Sequence, residues 1–346
     1  MSSRPSPDSA VEARAVWFAA PRVAEIRHET APAPGPGEVR VRSVVSAISH
    51  GTEMLVYRGE VPPDLPLDLP TFAGDFSFPI KHGYATVGRV IDAGPGIEDL
   101  RPNDLVFVHH PHQEVFTVPA DLPVRLPDGT DPSAGVFFAN LETALNIVHD
   151  TPLRFGETVL VFGQGVVGLL VTQLLALAGA DRVLAVEPLE KRRRLALGVG
   201  ADATFEPDDD LRARVLEATG GRGADAAVEV SSSGAALQAA LDAVAAEGTV
   251  VVASWYGTKP VTLSLGGHFH RGRLRVRSSQ VGRIPPELGA RWDRGRRTEA
   301  VIGLLSRLRL KELVSHRVPF DEAPRAYRLV DEEPHETIQV VLSHDH

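Results

Sequence analysis

Residues 158–168 read T-V-L-V-F-G-Q-G-V-V-G, and this stretch limits the fold of the chain more than any other. Val159, Leu160, Val161 and Phe162 make an apolar, largely β-branched run of strand length. Gly163, Gly165 and Gly168 follow at G-x-G-x-x-G spacing, with Val166 and Val167 between the last two, and an apolar run of helix length continues to Ala178. Between a strand and a helix each glycine has a task. The first permits the tight turn, the second lets backbone approach a pyrophosphate, and the third lets the helix pack on the strand. The helix N-terminus then faces the phosphate charge.

Downstream residues give this spacing its context. Residues 182–186 (R-V-L-A-V) read as a second strand, and Glu187 sits at its end. There a carboxylate can accept hydrogen bonds from adenosine ribose hydroxyls and repel a 2′-phosphate, which points to NAD. Arg192, Arg193 and Arg194 follow and could offset that charge, so NADP stays open. Strands are expected at 158–162, 182–186, 226–230 and 248–253, and helices at 166–178, 190–198, 210–218 and 234–245. Such alternation predicts an α/β fold with a doubly wound parallel sheet. Ser231, Ser254 and Trp255 stand just past the third and fourth strands, at the carboxyl edge where the nicotinamide half of a dinucleotide would run.

The first 140 residues differ in character. Short apolar runs at 15–20, 38–45, 82–93, 105–108 and 115–119 are separated by Pro/Gly turns, and predict a β-rich, barrel-like unit. A long loop, residues 58–78, reads as a substrate lid or wall. A helix is expected at 134–149, another at 296–308, and a last strand at 337–343. The 346 residues suffice for two domains. No apolar run of membrane-spanning length is free of glycine or charge, and residues 1–14 lack an apolar signal core, so a cytoplasmic protein without a membrane segment is expected. Cysteine is absent, which excludes disulfides and every thiolate metal site. The net charge of −9 speaks against nucleic acid as a partner. Residues 268–297 are nevertheless rich in arginine, and read as a strand exposing arginines followed by a basic helix start.

These landmarks together resemble the medium-chain dehydrogenase/reductase superfamily of zinc-type alcohol dehydrogenases. The resemblance runs from about residue 15 to residue 342, through P-G-E-V-R-V at 36–41, G-T-E at 51–53, R-P-N-D-L-V at 101–106 and F-G-E-T-V-L-V at 155–161. Within it, residues 51–59, 139–146 and 278–283 resemble the group typified by 2-desacetyl-2-hydroxyethyl bacteriochlorophyllide dehydrogenase. The resemblance implies a GroES-like catalytic domain in residues 1–140, a Rossmann domain in 141–279 and a return to the catalytic domain in 280–346. It also implies a homodimer, matches Arg192 to a position that reaches the adenosine ribose, and places Ser279, Gln280 and Gln339 near the nicotinamide and phosphates. Zinc-dependent members use a Cys before the G-[ST]-D turn, the His of G-H-E, and a Cys or Glu near the Rossmann start. Here those positions carry His50, Tyr84 and Ala139, with Glu142 nearby. No metal is therefore expected, although a non-standard His50/Glu142 site stays open.

Without a metal, side chains must handle the proton that accompanies hydride transfer. His50 is the candidate general acid/base, because imidazole titrates near neutrality. Thr52 and Tyr84 could hydrogen-bond the substrate oxygen, and Glu53 and Glu142 could orient His50. Each of the five could equally be structural. The leading reading is a zinc-independent, NAD-preferring oxidoreductase that interconverts a secondary alcohol (a polyol, cyclitol or sugar-like molecule) and its ketone. An NADPH-dependent alkene or quinone reductase and a dinucleotide-binding regulator are the alternatives.

Overall fold

The computed structural model describes residues 10–67 and 74–344. Contacts divide the chain into two compact units, Met1–Ala139 with Leu305–His346, and Asn140–Leu304. Residues 280–304 thus group with the second unit, and the return to the first begins at Leu305 rather than at 280.

In chain order the strands of the first unit are β1 (Val11–Ala20), β2 (Val23–Ala31), β3 (Glu38–Ile48), β4 (Thr86–Ala93), β5 (Leu105–Val108), β6 (Val115–Pro119) and β7 (Val124–Arg125). The second unit carries β8 (Thr158–Phe162), β9 (Arg182–Val186), β10 (Ala203–Phe205), β11 (Ala224–Glu229), β12 (Val244–Val252) and β13 (Arg275–Ser278). The return adds β14 (Val314–Pro319) and β15 (Gln339–Ser343). The helices that matter for the site are α1 (Thr52–Arg58), α2 (Phe138–Asp150), α3 (Val166–Leu177), α4 (Glu190–Val199), α5 (Arg294–Leu304) and α6 (Ala323–Glu332).

The first unit is built on β3, which pairs antiparallel with β4, β6 and β15. Its Val39 and Val41 join one core cluster and its Ile48 another, so the strand serves two patches of core. Phe18, Tyr57 and Tyr327 meet at the centre of one cluster, with ring centroids 5.0 to 5.4 Å apart. One long strand had no clear sequence signal. β2 reads V-A-E-I-R-H-E-T-A, too polar for an apolar-run criterion. Pairing with β1 and side-chain bonds stabilise it, including Trp17 Nε1 and Lys81 Nζ each donating to Glu29 at 2.6 Å. The expected lid loop begins later and is partly packed. α1 extends to Arg58, while Val61 and Phe76 are buried in the core. Residues 68–73 of that loop lie outside the described residues.

The second unit holds a six-stranded sheet in the order β10-β9-β8-β11-β12-β13, with every pair parallel. Strands β8 and β9 have the bounds expected, because both are short, apolar and flanked by turns. β11 ends at Glu229, one residue before the expected end, and β12 begins at Val244, where a continued helix was expected. The order turns outward on both sides of β8, so the crevice at its carboxyl end is the position where such sheets bind ligands.

Candidate functional site

At the carboxyl end of β8 the glycine turn has the geometry that its spacing requires. Gly163 has φ +91°, and an added Cβ would lie 2.9 Å from Ser231 Cα. A Cβ on Gly168 would lie 1.9 Å from the Gly163 carbonyl oxygen, so helix and turn touch there. Gly165 caps α3 with φ −72° and ψ −170°, offers no capping side chain, and faces open space. The first-turn amides of Val166, Val167 and Gly168 thus have no side-chain cap, as an anion cradle requires.

Glu187 is 3% exposed and braces this turn. Its carboxylate accepts from the Gln164 amide at 2.7 Å and the Leu189 amide at 3.1 Å. A carboxylate has about four acceptor sites, so capacity remains for ribose hydroxyls. Arg193 donates to the Glu187 and Pro188 carbonyls and pairs with Glu206, and Arg194 pairs with Glu190. Arg192 precedes them on α4.

Farther along the edge, Glu229 is fully buried. It accepts from the Ser231 hydroxyl at 2.6 Å and the Tyr256 hydroxyl at 2.7 Å. Burial, reinforced by that bond and the Glu229 charge, pushes the Tyr256 phenol well up. Ser254 Oγ accepts from the Ser232 amide at 2.8 Å. Trp255, between these anchored residues, is 38% exposed. Sequence reading missed Glu229 and Tyr256; a carboxylate ending an apolar strand was the available signal. Ser279 and Gln280 follow β13, where the Asn146 amide lies 3.5 Å from Ser279 Oγ and 3.4 Å from the Gln280 carbonyl.

In the first unit, the turn between β3 and α1 carries Ser49, His50 and Thr52. The Tyr84 hydroxyl donates to Ser49 Oγ at 2.5 Å and also interacts with Thr52. Burial pushes the Tyr84 phenol up to about 12, against the Ser49 and Thr52 bonds and with help from the Glu53 charge. Tyr84 therefore remains a donor at neutral pH. His50 is half-buried on the same turn. Two expected catalytic carboxylates are placed differently. Glu53 is 0% exposed, so it reaches no substrate; its oxygens accept from His112, Tyr327 and the Ser49 amide. Glu142 is ion-paired with Arg297 at 3.3 Å, inside the second unit. Gln339, expected near the cofactor, spends its amide on the Ile48 and Val340 carbonyls within the first unit's sheet. His82 is buried, and burial lowers its imidazole to about 4, partly offset by Glu53, so it is neutral.

The ligand set that the resemblance assigns to zinc-dependent members is not reproduced here. The chain has no thiolate, and Tyr84 stands at the central ligand position. Among the described residues no group of three or more His, Asp or Glu side chains is arranged to hold a metal.

Part of the basic stretch is ion-paired within the second unit. Arg273 and Arg275 pair with Glu247, and Arg277 pairs with Asp150 at 2.7 Å and with Glu287. A cavity of about 650 Å³ lies among Asp150, Asp225, Thr249, Arg275 and Arg277, at the amino ends of the strands. It is on the opposite edge from the glycine turn, and much of its charge is already paired, so it is not the hydride-transfer site. No helix among the described residues is long and apolar enough to cross a membrane.

Comparison with known proteins agrees with this architecture. Residues 166–294 match the family described as zinc-binding dehydrogenase. D-guloside 3-dehydrogenase of Escherichia coli K12 is 28% identical over 93% of this chain and 97% of its own length. (R,R)-butanediol dehydrogenase of Bacillus subtilis is 30% identical over 66% of this chain and 74% of its own. Among solved structures, an alcohol dehydrogenase of Escherichia coli CFT073 complexed with NADH superposes with a TM-score of 0.79, covering 96% of this chain and 99% of that one. At 19% identity this last likeness bears on the fold alone. The chain therefore belongs to the zinc-binding dehydrogenase family, and is an oxidoreductase of the medium-chain dehydrogenase type.

Proposed function

We propose that this chain is a zinc-independent, NAD-preferring oxidoreductase that interconverts a secondary alcohol and its ketone, with a polyol, cyclitol or sugar-like substrate. The observation that carries the reading is the hydroxyl cluster at the expected metal position: Tyr84 bonded to Ser49, with Thr52 beside it. The names of the relatives, a guloside dehydrogenase and a butanediol dehydrogenase, support alcohol–ketone chemistry on hydroxylated substrates. Glu187 supports NAD, because the arginines 193 and 194 that could receive a 2′-phosphate are already paired.

Bound at the carboxyl edge of the parallel sheet, the dinucleotide supplies the hydride acceptor. Gly163, Gly165 and Gly168 with the α3 amides hold its phosphates, and Glu187 takes the adenosine ribose. Ser231, Ser254, Trp255, Ser279 and Gln280 lie along the nicotinamide half. A bound nicotinamide would accept the carbinol hydride with its electron pair, and the hydroxyl proton would pass to His50. Thr52 and Ser49, whose Oγ accepts from Tyr84, would donate hydrogen bonds to the oxygen as it becomes a carbonyl; in reduction the same groups would receive it. We further infer a cytoplasmic homodimer, which sedimentation of the purified chain would test.

The experiment is a panel of cyclic and acyclic polyols against enones, with NAD and NADP, run alongside metal analysis. Turnover of secondary alcohols with NAD, at well under one zinc per chain, is expected. Turnover only of enones, or stoichiometric zinc whose removal abolishes activity, would overturn the reading.

A further inference from the structure

The Ser49–Thr52 turn has little backbone support of its own. Gly51 caps α1 with φ −96° and ψ −100°, and supplies no capping side chain. What reaches back is Glu53 from the first turn of α1, whose Oε2 accepts the Ser49 amide at 3.0 Å. Its other oxygen accepts His112 Nε2 at 2.9 Å and the Tyr327 hydroxyl. His112 Nδ1 lies 2.7 Å from Ser46 Oγ, and Ser46 Oγ lies 3.2 Å from His344 Nε2. One fully buried carboxylate thus ties the end of β3, α1, the loop after β5 and α6 together. Burial pushes Glu53 up, but the His112 charge and hydrogen bond, with the Tyr327 hydroxyl, hold it below its usual range. An ionised carboxylate only accepts, so His112 Nε2 and Tyr327 must both donate.

We propose that Glu53, His112 and Tyr327 are positioning residues: a buried anion and its two donors lock the turn, so that His50, Thr52 and the Tyr84–Ser49 pair keep a fixed register toward the reacting oxygen. None of the three touches substrate. Their role is to hold a turn that no metal organises. The inference rests on the reading that this turn faces the substrate.

Tyr327→Phe keeps the ring among Phe18 and Tyr57 and removes one donor. It should lower kcat about tenfold, the order expected for one charge-assisted hydrogen bond. The probe is (R,R)-butane-2,3-diol with NAD, at unchanged NAD affinity. His112→Gln, which retains a donor, should keep more turnover than His112→Leu. Glu53→Gln replaces an acceptor oxygen by an amide donor, so it should lower kcat at unchanged NAD affinity. A merely structural role would lower melting temperature without separating kcat from NAD affinity. Hydrogen exchange of the peptide covering Ser49 gives a readout that needs no turnover: Tyr327→Phe should speed it while melting shifts little. Wild-type kcat and wild-type exchange in Tyr327→Phe and His112→Leu would overturn the proposal. If His50→Ala retains turnover while Tyr327→Phe loses it, the role of His50 fails and the lock stands.

Discussion

Replacing Gly165 by alanine separates folding from cofactor binding. The glycine has φ −72°, which alanine adopts freely, and its Cβ would meet nothing within 4 Å. The substitution should therefore leave melting within a few degrees of wild type, and alanine's lower backbone entropy in the unfolded chain even favours folding slightly. The methyl would instead project into the space before the α3 amides, where a pyrophosphate must approach. Losing one charge-assisted hydrogen bond there costs about 1.5–3 kcal/mol, or roughly 10- to 150-fold in affinity. Gly168→Ala provides the contrast. Its Cβ would sit 1.9 Å from a backbone oxygen, so that variant should lose stability itself. NADH fluorescence titration gives the affinity, and thermal melting with and without NADH gives the stability. An unchanged NADH affinity in Gly165→Ala would mean that the phosphates do not lie on this turn, and the cofactor assignment would fall with it.

Glu187→Ala should weaken NADH binding and relax discrimination against NADPH; steady-state constants for both cofactors check this, and an unchanged preference would remove Glu187 from the ribose. His50→Ala should cut turnover far more than it alters cofactor affinity, which pre-steady-state hydride transfer would show directly. For pH, burial lowers His82 to about 4 and His110 to about 3. The unfolded chain therefore binds more protons below the ordinary histidine value, and stability should fall as pH drops from about 6.5 toward 4. His82→Gln should flatten that fall by up to about 3 kcal/mol in denaturant melts across the window. Equal slopes in wild type and variant would refute a neutral, buried His82, which Glu53 and His112 face.

The second unit was readable because its signals are local. Val159–Phe162, the three glycines and Glu187 fall within thirty residues, and a short apolar strand between turns has few other conformations. The catalytic unit was less readable for the opposite reason. Glu53 meets His112 across 59 residues of chain and Tyr327 across 274, and no periodicity links such positions. β2 escaped notice because cross-strand partners, rather than its own apolarity, hold it. The same limit applies to Glu142, whose partner Arg297 lies 155 positions later in the chain.

The three tryptophans give the molecule an optical signature. Trp17 lies in the first unit under the Arg27 guanidinium, 4.8 Å from its ring, and Trp292 packs in the second unit against His149 and Arg296. Trp255 alone stands on the carboxyl edge with its indole in the open. Indole emission overlaps the absorbance of reduced nicotinamide, so excitation of Trp255 should light a dihydropyridine ring docking beside it. A chain keeping only that tryptophan would report the arrival of NADH in its own colour.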